Sequence, residues 1–193
     1  EMDFLAAHKD LVTVEVTPQH LTLAAPDCYA ELGTRAQMNP PIRDDAHRAR
    51  LWRAVRDGVV DIIGSDHAPH TLAEKAQEYP DSPSGMPGVQ TLVPIMLNHV
   101  NSGHLTLERL VGLLSTNPAR IFSIARKGQI ALGYDGDFTI VDLNAERTIT
   151  QDWLLSKCGW SPFVDKKVKG WPVATVIRGK VVMLQDELLG GPA

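Results

Sequence analysis

The chain is poor in cysteine and has no long apolar run. Its 193 residues include two cysteines, Cys28 and Cys158, which lie far apart and form neither a zinc-binding nor a redox spacing. A reducing, cytoplasmic setting is therefore the expectation. No apolar stretch approaches the roughly 20 residues that a membrane-spanning helix needs, and we expect no signal peptide.

Clusters of basic residues are lacking too. The formal net charge is −4, with no basic block, which argues against a nucleic-acid-binding surface. Hydrophobic residues make up 44% and charged residues 22% of the chain, ordinary values for a globular protein with a real core. The composition thus argues against membrane and nucleic-acid partners and leaves the function to local patterns.

The densest group of chemically active side chains lies in Gly64–His70, with the sequence GSDHAPH. It follows Val59–Ile63, an apolar and mostly β-branched stretch that predicts a buried strand. Asp66 and two histidines therefore stand where a strand ends, which in an α/β barrel is the face where reactions occur. Because Asp and His both bind metals and transfer protons, Asp66 is the first catalytic candidate.

A second pattern predicts a pair of parallel strands. Val12–Val16 is typical of a strand, and Asp44 or Asp45 is suited to cap a helix that runs to about Asp57. This strand, the helix and the strand before Asp66 make one βαβ unit. Its two strands are therefore expected to be parallel.

The segment after Asp66 predicts a capped helix and then a loop. Thr71–Glu74 has the capping-box pattern, which indicates the start of a short helix. Glu78–Gly88 is rich in proline and glycine and predicts an irregular loop near the end of the strand that carries Asp66. Further on, Thr106 is suited to cap a helix, which Asn117–Pro118 is expected to break.

The pattern changes at residue 128, where short β segments replace helices. Gln129–Leu132 and Phe138–Asp142 predict a strand, a tight turn and a strand, and Val173–Val182 predicts another strand with a bend at its glycine. We therefore predict two domains, a barrel portion over residues 1–127 and a small β module over residues 128–193.

Three blocks of the chain have patterns that are typical of one group of proteins. Gly64–His70 followed by Glu74–Ala76 is similar to the signature of bacterial class I dihydroorotases, and Met38–Arg43 (MNPPIR) is similar to a second block of that family. Gly133–Asp142 (GYDGDFTIVD) resembles the C-terminal hallmark of the superfamily. Together the blocks extend the resemblance over essentially the whole chain.

The resemblance implies both a fold and a reaction. The implied fold class is α/β, with the C-terminal part of a (β/α)8 metal-dependent hydrolase barrel, about strands seven and eight, and an appended β-sandwich-type module. The implied reaction is the reversible cyclisation of N-carbamoyl-L-aspartate to L-dihydroorotate in pyrimidine biosynthesis. The implied cofactor is zinc, as one or two ions.

Five residues match functional positions of the resembled family. Asp66 matches its catalytic aspartate, which is also a metal ligand, and a carboxylate there is able to take a proton from water and return it to the leaving ring nitrogen. Asn39 and His70 match substrate-contacting positions, and Ser84 and Gly85 match a loop pair that contacts substrate mainly through its backbone.

The family's remaining metal ligands have no counterpart in this sequence. They lie upstream in the family, and Glu1–His8 reads as the middle of an amphipathic helix, so we expect the chain to be the C-terminal part of a longer protein. Gln19 stands where many relatives carry a histidine, and neither Gln19 nor His20 is assigned a role. Because catalytic zinc needs about three protein ligands, the chain alone is predicted to be inactive.

Structural readings compete with the functional ones at each site residue. Asp66 could cap the turn after its strand, His70 could be a loop histidine bonded to backbone, and Asn39 could be a turn residue before prolines. His67 is interpreted as a structural group and not as a ligand.

Two other functions compete with dihydroorotase. One is an allantoinase or a dihydropyrimidinase-like cyclic amidohydrolase, which keeps the chemistry and changes the substrate. The other is a non-catalytic, dihydroorotase-like scaffold subunit. For the dihydroorotase we expect a small-molecule substrate and a homo-oligomer, with aspartate transcarbamoylase as a potential partner.

Overall fold

The computed structural model describes residues 1–190, which form a mixed α/β chain. The α-helices are α1 Met2–Ala7, α2 Pro18–Thr22, α3 Asp27–Leu32, α4 Asp45–Arg56, α5 Leu72–Lys75, α6 Leu92–Asn101, α7 Leu107–Val111 and α8 Asn117–Ile121. The strands are β1 Glu15–Val16, β2 Ile62–Ile63, β3 Phe138–Thr148, β4 Lys167–Ile177, β5 Lys180–Leu184 and β6 Glu187–Leu188. Short 3₁₀ turns cover Gly33–Ala36 and Gln151–Trp153.

The described chain divides into two compact units. The first contains Glu1–Leu92 and Thr148–Lys166, and the second contains Val93–Arg147 and the residues from Lys167 onward. The predicted boundary between residues 127 and 128 separates a barrel portion from a β module, which is a different kind of division. It stays a prediction. No helix of the described residues is long and apolar enough to cross a bilayer.

The first unit is organised around a short parallel strand pair. Glu15 of β1 pairs with Ile62 of β2, and the pairing continues into the next residues. Between the strands lies α4, whose N-cap Asp44 accepts a hydrogen bond from the backbone N–H of His47 at 3.2 Å. The predicted parallel pairing and the predicted helix cap are both confirmed. The pairing follows from the strand–helix–strand order, and the cap follows from the aspartate at the start of the helix.

A sulfur-rich apolar cluster forms part of the core of the first unit. Its buried members are Cys28, Ala36, Met38, Ile42, Met86, Cys158 and Trp160. Both cysteines are free thiols. Met38 directly precedes Asn39, and Met86 directly follows Gly85, two residues that the sequence assigns to the site. The buried methionines therefore anchor these two segments in the core.

The second unit contains a four-stranded sheet in the order β3-β4-β5-β6. The β4–β5 and β5–β6 pairs are antiparallel. Asn101 of α6 donates to the backbone oxygens of Leu143 at 3.1 Å and Lys169 at 2.9 Å. Gly170 allows this approach, because a Cβ there would lie 2.6 Å from the Cβ of Leu97.

One predicted strand is absent from the structure, and another is divided in two. Gln129–Leu132 forms no strand, since the chain turns there and the backbone N–H of Tyr134 donates to the oxygen of Ala131 at 3.1 Å. Val173–Val182 is two strands, because Arg178 and Gly179 both have positive φ (50° and 77°) and reverse the chain in a two-residue hairpin.

The predicted break at Pro118 is also absent. The helical run continues from Leu107 through a π-helical turn, Gly112–Thr116, into α8. Pro118 is the second residue of α8, where a missing N–H costs little. The widened turn before it relieves the clash that a proline ring makes with the preceding turn.

Candidate active site

Asp66 lies three residues after β2 in a left-handed backbone conformation, with φ 44°. Its side chain is exposed. Aspartate tolerates this conformation better than most residues, and such backbone geometry concentrates at functional sites. The strand end therefore exposes a carboxylate to solvent. Its left-handed backbone is uncommon, so contacts of the neighbouring residues are needed to maintain it.

The peptide before Asp66 is held from two sides. Gln19 of α2 donates from Nε2 to the backbone oxygen of Ser65 at 3.0 Å. Gly88 lies against the same oxygen, and a Cβ at residue 88 would overlap it. These two contacts fix the carbonyl that precedes the catalytic candidate, and the sequence offered no signal for either of them.

Gln19 itself contains an unsatisfied polar atom. Its side chain is fully buried, and its Oε1 has no hydrogen-bond partner. A buried acceptor without a donor is costly, so this oxygen is suited to accept from a water molecule or to face a cation.

His67 is occupied by the loop that follows α5. Its Nδ1 accepts a hydrogen bond from the backbone N–H of Gly88 at 3.0 Å, and the backbone N–H of Ala68 donates to the oxygen of Met86 at 2.9 Å. Because Nδ1 accepts, it carries no proton in this arrangement. His67 therefore connects the segment after β2 to the loop that follows α5.

His70 and Ser84 are brought into direct contact. The ring Nε2 of His70 lies 3.2 Å from the backbone oxygen of Ser84. Since a carbonyl only accepts hydrogen bonds, Nε2 carries a proton in this contact. The backbone oxygen of His70 accepts from Nε1 of Trp160 at 2.8 Å, so His70 is fixed at both its ring and its backbone.

Gly85 packs directly against the His70 segment. Its φ is +125°, and a Cβ there would overlap the Cβ of Ala68 and lie 3.6 Å from Cδ2 of His70. The backbone N–H of Gly85 donates to the oxygen of Gln37 at 2.9 Å. The N–H of Gly85 is thus engaged within the protein, which leaves its carbonyl as the backbone group for any ligand contact.

Asn39 lies on an exposed segment that continues from the buried Met38. The next residue, Pro40, accepts at its backbone oxygen from Nε2 of His20 at 2.8 Å, and Nδ1 of His20 lies 2.8 Å from Oγ1 of Thr17. Through Gln37, two residues earlier, the same segment receives the N–H of Gly85. The structure therefore ties the segments of Asn39, His70 and Gly85 together.

Charge near His70 comes from the capping box of α5. The backbone N–H and the hydroxyl of Thr71 donate to the carboxylate of Glu74 at 2.6 and 2.8 Å, and these bonds hold the pKa of Glu74 below its usual value. Attraction to His70 acts in the same direction. The Glu74 carboxylate therefore stays ionised beside the His70 segment.

A catalytic metal does not fit the described residues alone. Nowhere in residues 1–190 do three or more His, Cys, Asp or Glu side chains form a group that could hold a metal ion. Asp66 and the unpaired oxygen of Gln19 are one charged and one neutral donor, short of the three protein ligands that catalytic zinc uses.

Comparison with known proteins gives a consistent assignment. The Amidohydrolase family model matches residues 3–182. The chain is 44% identical over 170 residues to a dihydroorotase of Halobacterium salinarum, covering 88% of this chain and 40% of that protein. It is 41% identical over 188 residues to a dihydroorotase of Pyrococcus furiosus, covering 97% of this chain and 43% of that protein. The chain thus spans less than half the length of these relatives.

Solved structures of related hydrolases superpose on most of the chain. An L-hydantoinase (dihydropyrimidinase) from Arthrobacter aurescens matches 98% of this chain and 44% of its own, with a TM-score of 0.92 and 31% sequence identity. A D-hydantoinase (dihydropyrimidinase) from a Thermus species matches with a TM-score of 0.90 and 27% identity.

Proposed function

The chain belongs to the amidohydrolase family, and from this premise we propose that it is part of a dihydroorotase that cyclises N-carbamoyl-L-aspartate reversibly to L-dihydroorotate. The observation that carries the proposal is the exposed strand-end carboxylate of Asp66, four residues before a His70 whose ring contacts Ser84, in a chain over 40% identical to two dihydroorotases. The chain is a mixed α/β portion of a TIM-barrel hydrolase. We further propose that β1 and β2 are strands seven and eight and that residues 128–193 form the appended β module.

Asp66 is proposed as the group that moves the proton. Its exposed carboxylate takes a proton from the attacking water during ring opening and returns it to the departing ring nitrogen. In ring closure the protonated group assists the loss of water, by microscopic reversibility. Zinc is the proposed cofactor of the complete protein, with Asp66 as one ligand and the others supplied by residues beyond those described.

The four other candidates are proposed to bind and orient the substrate. Nδ1 of His70 is free of the bond that Nε2 makes to Ser84, so in the protonated ring it is able to donate to a substrate carboxylate. The amide of Asn39 offers both a donor and an acceptor to the planar ring edge. The carbonyl of Gly85 is able to accept from a ring N–H, because its own N–H is engaged with Gln37.

The test is Asp66→Asn in the protein expressed with its complete natural sequence. Cyclisation of carbamoyl aspartate is expected to fall by about 10² to 10⁴, the range that proton transfer contributes, with an unchanged circular dichroism spectrum. Asp57→Asn is the matched control, since Asp57 is an exposed aspartate at the end of α4. A near-normal rate in Asp66→Asn would make Asp66 a structural residue.

A second candidate is a hydantoinase-type cyclic amidase, favoured by the TM-score of 0.92 to the Arthrobacter enzyme. Hydrolysis rates on dihydroorotate, hydantoin, dihydrouracil and allantoin distinguish the dihydroorotase from the hydantoinase-type enzyme. A higher kcat/KM on hydantoin or dihydrouracil would replace the dihydroorotase proposal. Absence of turnover on every substrate would favour the non-catalytic scaffold.

The cellular setting follows from the proposed reaction. We propose a role in pyrimidine biosynthesis, a cytoplasmic location and a homo-oligomer, with aspartate transcarbamoylase as a potential partner, because that enzyme makes carbamoyl aspartate. Light scattering of the purified protein, with and without the transcarbamoylase, checks both assembly states.

A further inference from the structure

We propose that Lys75 is a positioning residue of the substrate site, which fixes the Ser82–Gly85 loop against the segment that leads to Asn39. The inference rests on the proposed function, in which the loop and Asn39 contact the substrate. The ammonium of Lys75 donates to the backbone oxygens of Gln37 and Pro83 and not to Asp66. Its role is to hold other groups in place.

Lys75 is a fully buried lysine whose ammonium lies between two backbone carbonyls. Nζ donates to the oxygen of Gln37 at 3.1 Å and to the oxygen of Pro83 at 2.7 Å. Gln37 lies two residues before Asn39, and Pro83 lies immediately before Ser84. One side chain therefore bridges both segments.

The same two segments are joined by further bonds around Lys75. The oxygen of Gln37 also accepts from the N–H of Gly85, and Nε2 of Gln37 donates to the oxygen of Ser82 at 2.9 Å. Oγ1 of Thr34 donates to the backbone oxygen of Lys75 at 2.5 Å. The loop is thus attached to the Gln37 segment by two hydrogen bonds in addition to the bridge that Lys75 makes.

The energetics favour a role beyond filling space. Burial lowers the pKa of Lys75 below its usual value, because the charged form loses its water. Within the described residues, no ion pair with a carboxylate offsets this charge, so the carbonyl dipoles solvate it. An apolar side chain of similar length would fill the space without this cost, and buried ionic groups can often be replaced in that way. Lysine contributes what an apolar residue lacks, namely donors that fix two carbonyls.

The position of the loop matters because His70 depends on it. The ring of His70 is oriented by its bond to the oxygen of Ser84, the residue after the carbonyl that Lys75 holds. Loss of the Lys75 bonds is therefore expected to misplace Ser84, Gly85 and the His70 ring together. Substrate binding then weakens more than the chemical step does.

The test compares variants of the protein expressed with its complete natural sequence. Lys75→Met keeps the apolar length and removes the donors, and Lys75→Gln keeps a shorter neutral donor. Lys9→Met is the matched control, because Lys9 also donates to a backbone oxygen, that of Val59 at 2.9 Å, and pairs with Asp61 away from the loop. Gln37→Leu loosens the same loop with Lys75 in place, so it decides the question if Lys75→Met fails to fold.

For Lys75→Met we expect KM for carbamoyl aspartate to rise about tenfold with kcat changed less than about threefold, the pattern of lost binding rather than lost chemistry. Lys75→Gln is expected to recover part of the rise, and Lys9→Met to leave KM unchanged. An unchanged KM in both Lys75→Met and Gln37→Leu overturns the role of Lys75. So does a KM that rises equally in Lys9→Met, because the effect would then come from general destabilisation.

Amide hydrogen exchange separates failure of this inference from failure of the proposed function. The N–H of Gly85 is expected to exchange at least tenfold faster in Lys75→Met than in the wild type, and at the wild-type rate in Lys9→Met. If the wild type turns over no cyclic amide, the proposed function fails. The Gly85 exchange rates then still support or overturn the positioning role.

Discussion

At the scale of single residues, the site depends on close packing between backbones that only glycine permits. Gly85 combines a positive φ with a contact in which an added Cβ would overlap Ala68. Gly58, in the same unit, also has a positive φ (+81°), but nothing lies within 4 Å of its missing Cβ. The pair therefore separates the cost of the backbone conformation from the cost of the overlap.

Gly58→Ala is expected to lower the free energy of unfolding by about 1 to 2 kcal/mol, the cost of a left-handed non-glycine residue. Gly85→Ala is expected to cost about 3 kcal/mol or more, since overpacking adds to that strain. Urea unfolding of both variants measures the difference. Equal losses in the two variants would show that the Ala68 contact relaxes freely.

The contacts that could not be predicted from the sequence share a physical feature. Gln19, Trp160 and Lys75 are buried, and their partners lie 46, 90 and between 8 and 38 residues away along the chain. No local pattern encodes such partners. The place of Asp66 and His70 just after a strand was predictable, because the strand signal and the dense polar run are adjacent in sequence.

At the scale of elements, caps and turns decide where the chain starts and reverses. The cap of α5 was predictable from Thr71 and Glu74 alone, because both members lie within four residues. The β4–β5 hairpin was not, because Arg178 replaces the Asn or Gly that usually signals its turn. Local rules therefore succeed where the preferred residue is present.

Arg178→Asn is expected to stabilise the protein by about 0.5 to 1 kcal/mol, because asparagine adopts the left-handed conformation at lower cost. Gly179→Ala, at the next turn position, is expected to destabilise it. Thermal unfolding of the two variants measures both effects. A loss of stability in Arg178→Asn would mean that the arginine side chain contributes more than the turn strain costs.

A group of charged residues lies just before β3, and its contribution to stability depends on pH. Asp137 pairs with Lys127, and its Oδ1 accepts from the N–H of Arg178 at 2.6 Å. The Lys127 bond first, and then the Arg178 bond, hold the pKa of Asp137 below its usual 3.8. This carboxylate therefore stabilises the fold above pH 3.8, and the contribution is lost as the pH falls through its lowered pKa.

Asp137→Asn is accordingly expected to unfold at a lower temperature than the wild type at pH 7. The difference should shrink below pH 3.8 and vanish once the wild-type carboxylate is protonated. Lys127→Met removes the same pair and also the Lys127–Asp135 pair, so the loss in the double variant should be smaller than the sum of the two single losses. A difference that persists unchanged at low pH would assign the effect to lost packing.

At the scale of the whole molecule, the metal-binding groups are incomplete within the described residues. No group of three or more His, Cys, Asp or Glu side chains that could hold a metal ion forms in residues 1–190. The parallel pair and the family were predictable from local blocks. The units were not, because each joins segments that are distant in sequence.

The 193-residue chain is therefore expected to show no cyclisation of carbamoyl aspartate when zinc is added. Isothermal titration should give no zinc binding of the strength that about three protein ligands provide. The control is the same assay on the protein expressed with its complete natural sequence. Robust turnover by the 193-residue chain would mean that its own residues complete the site.

The buried thiols of the sulfur-rich cluster make local opening of the first unit detectable by chemical labelling. Cys28 and Cys158 lie in one apolar cluster with the methionines beneath the Asn39 and Gly85 segments, and burial raises the pKa of Cys28. Because only an accessible thiolate reacts with an alkylating reagent, each labelled molecule has opened that cluster at least once. Pulsed alkylation therefore measures how often this cluster opens, without any probe being introduced.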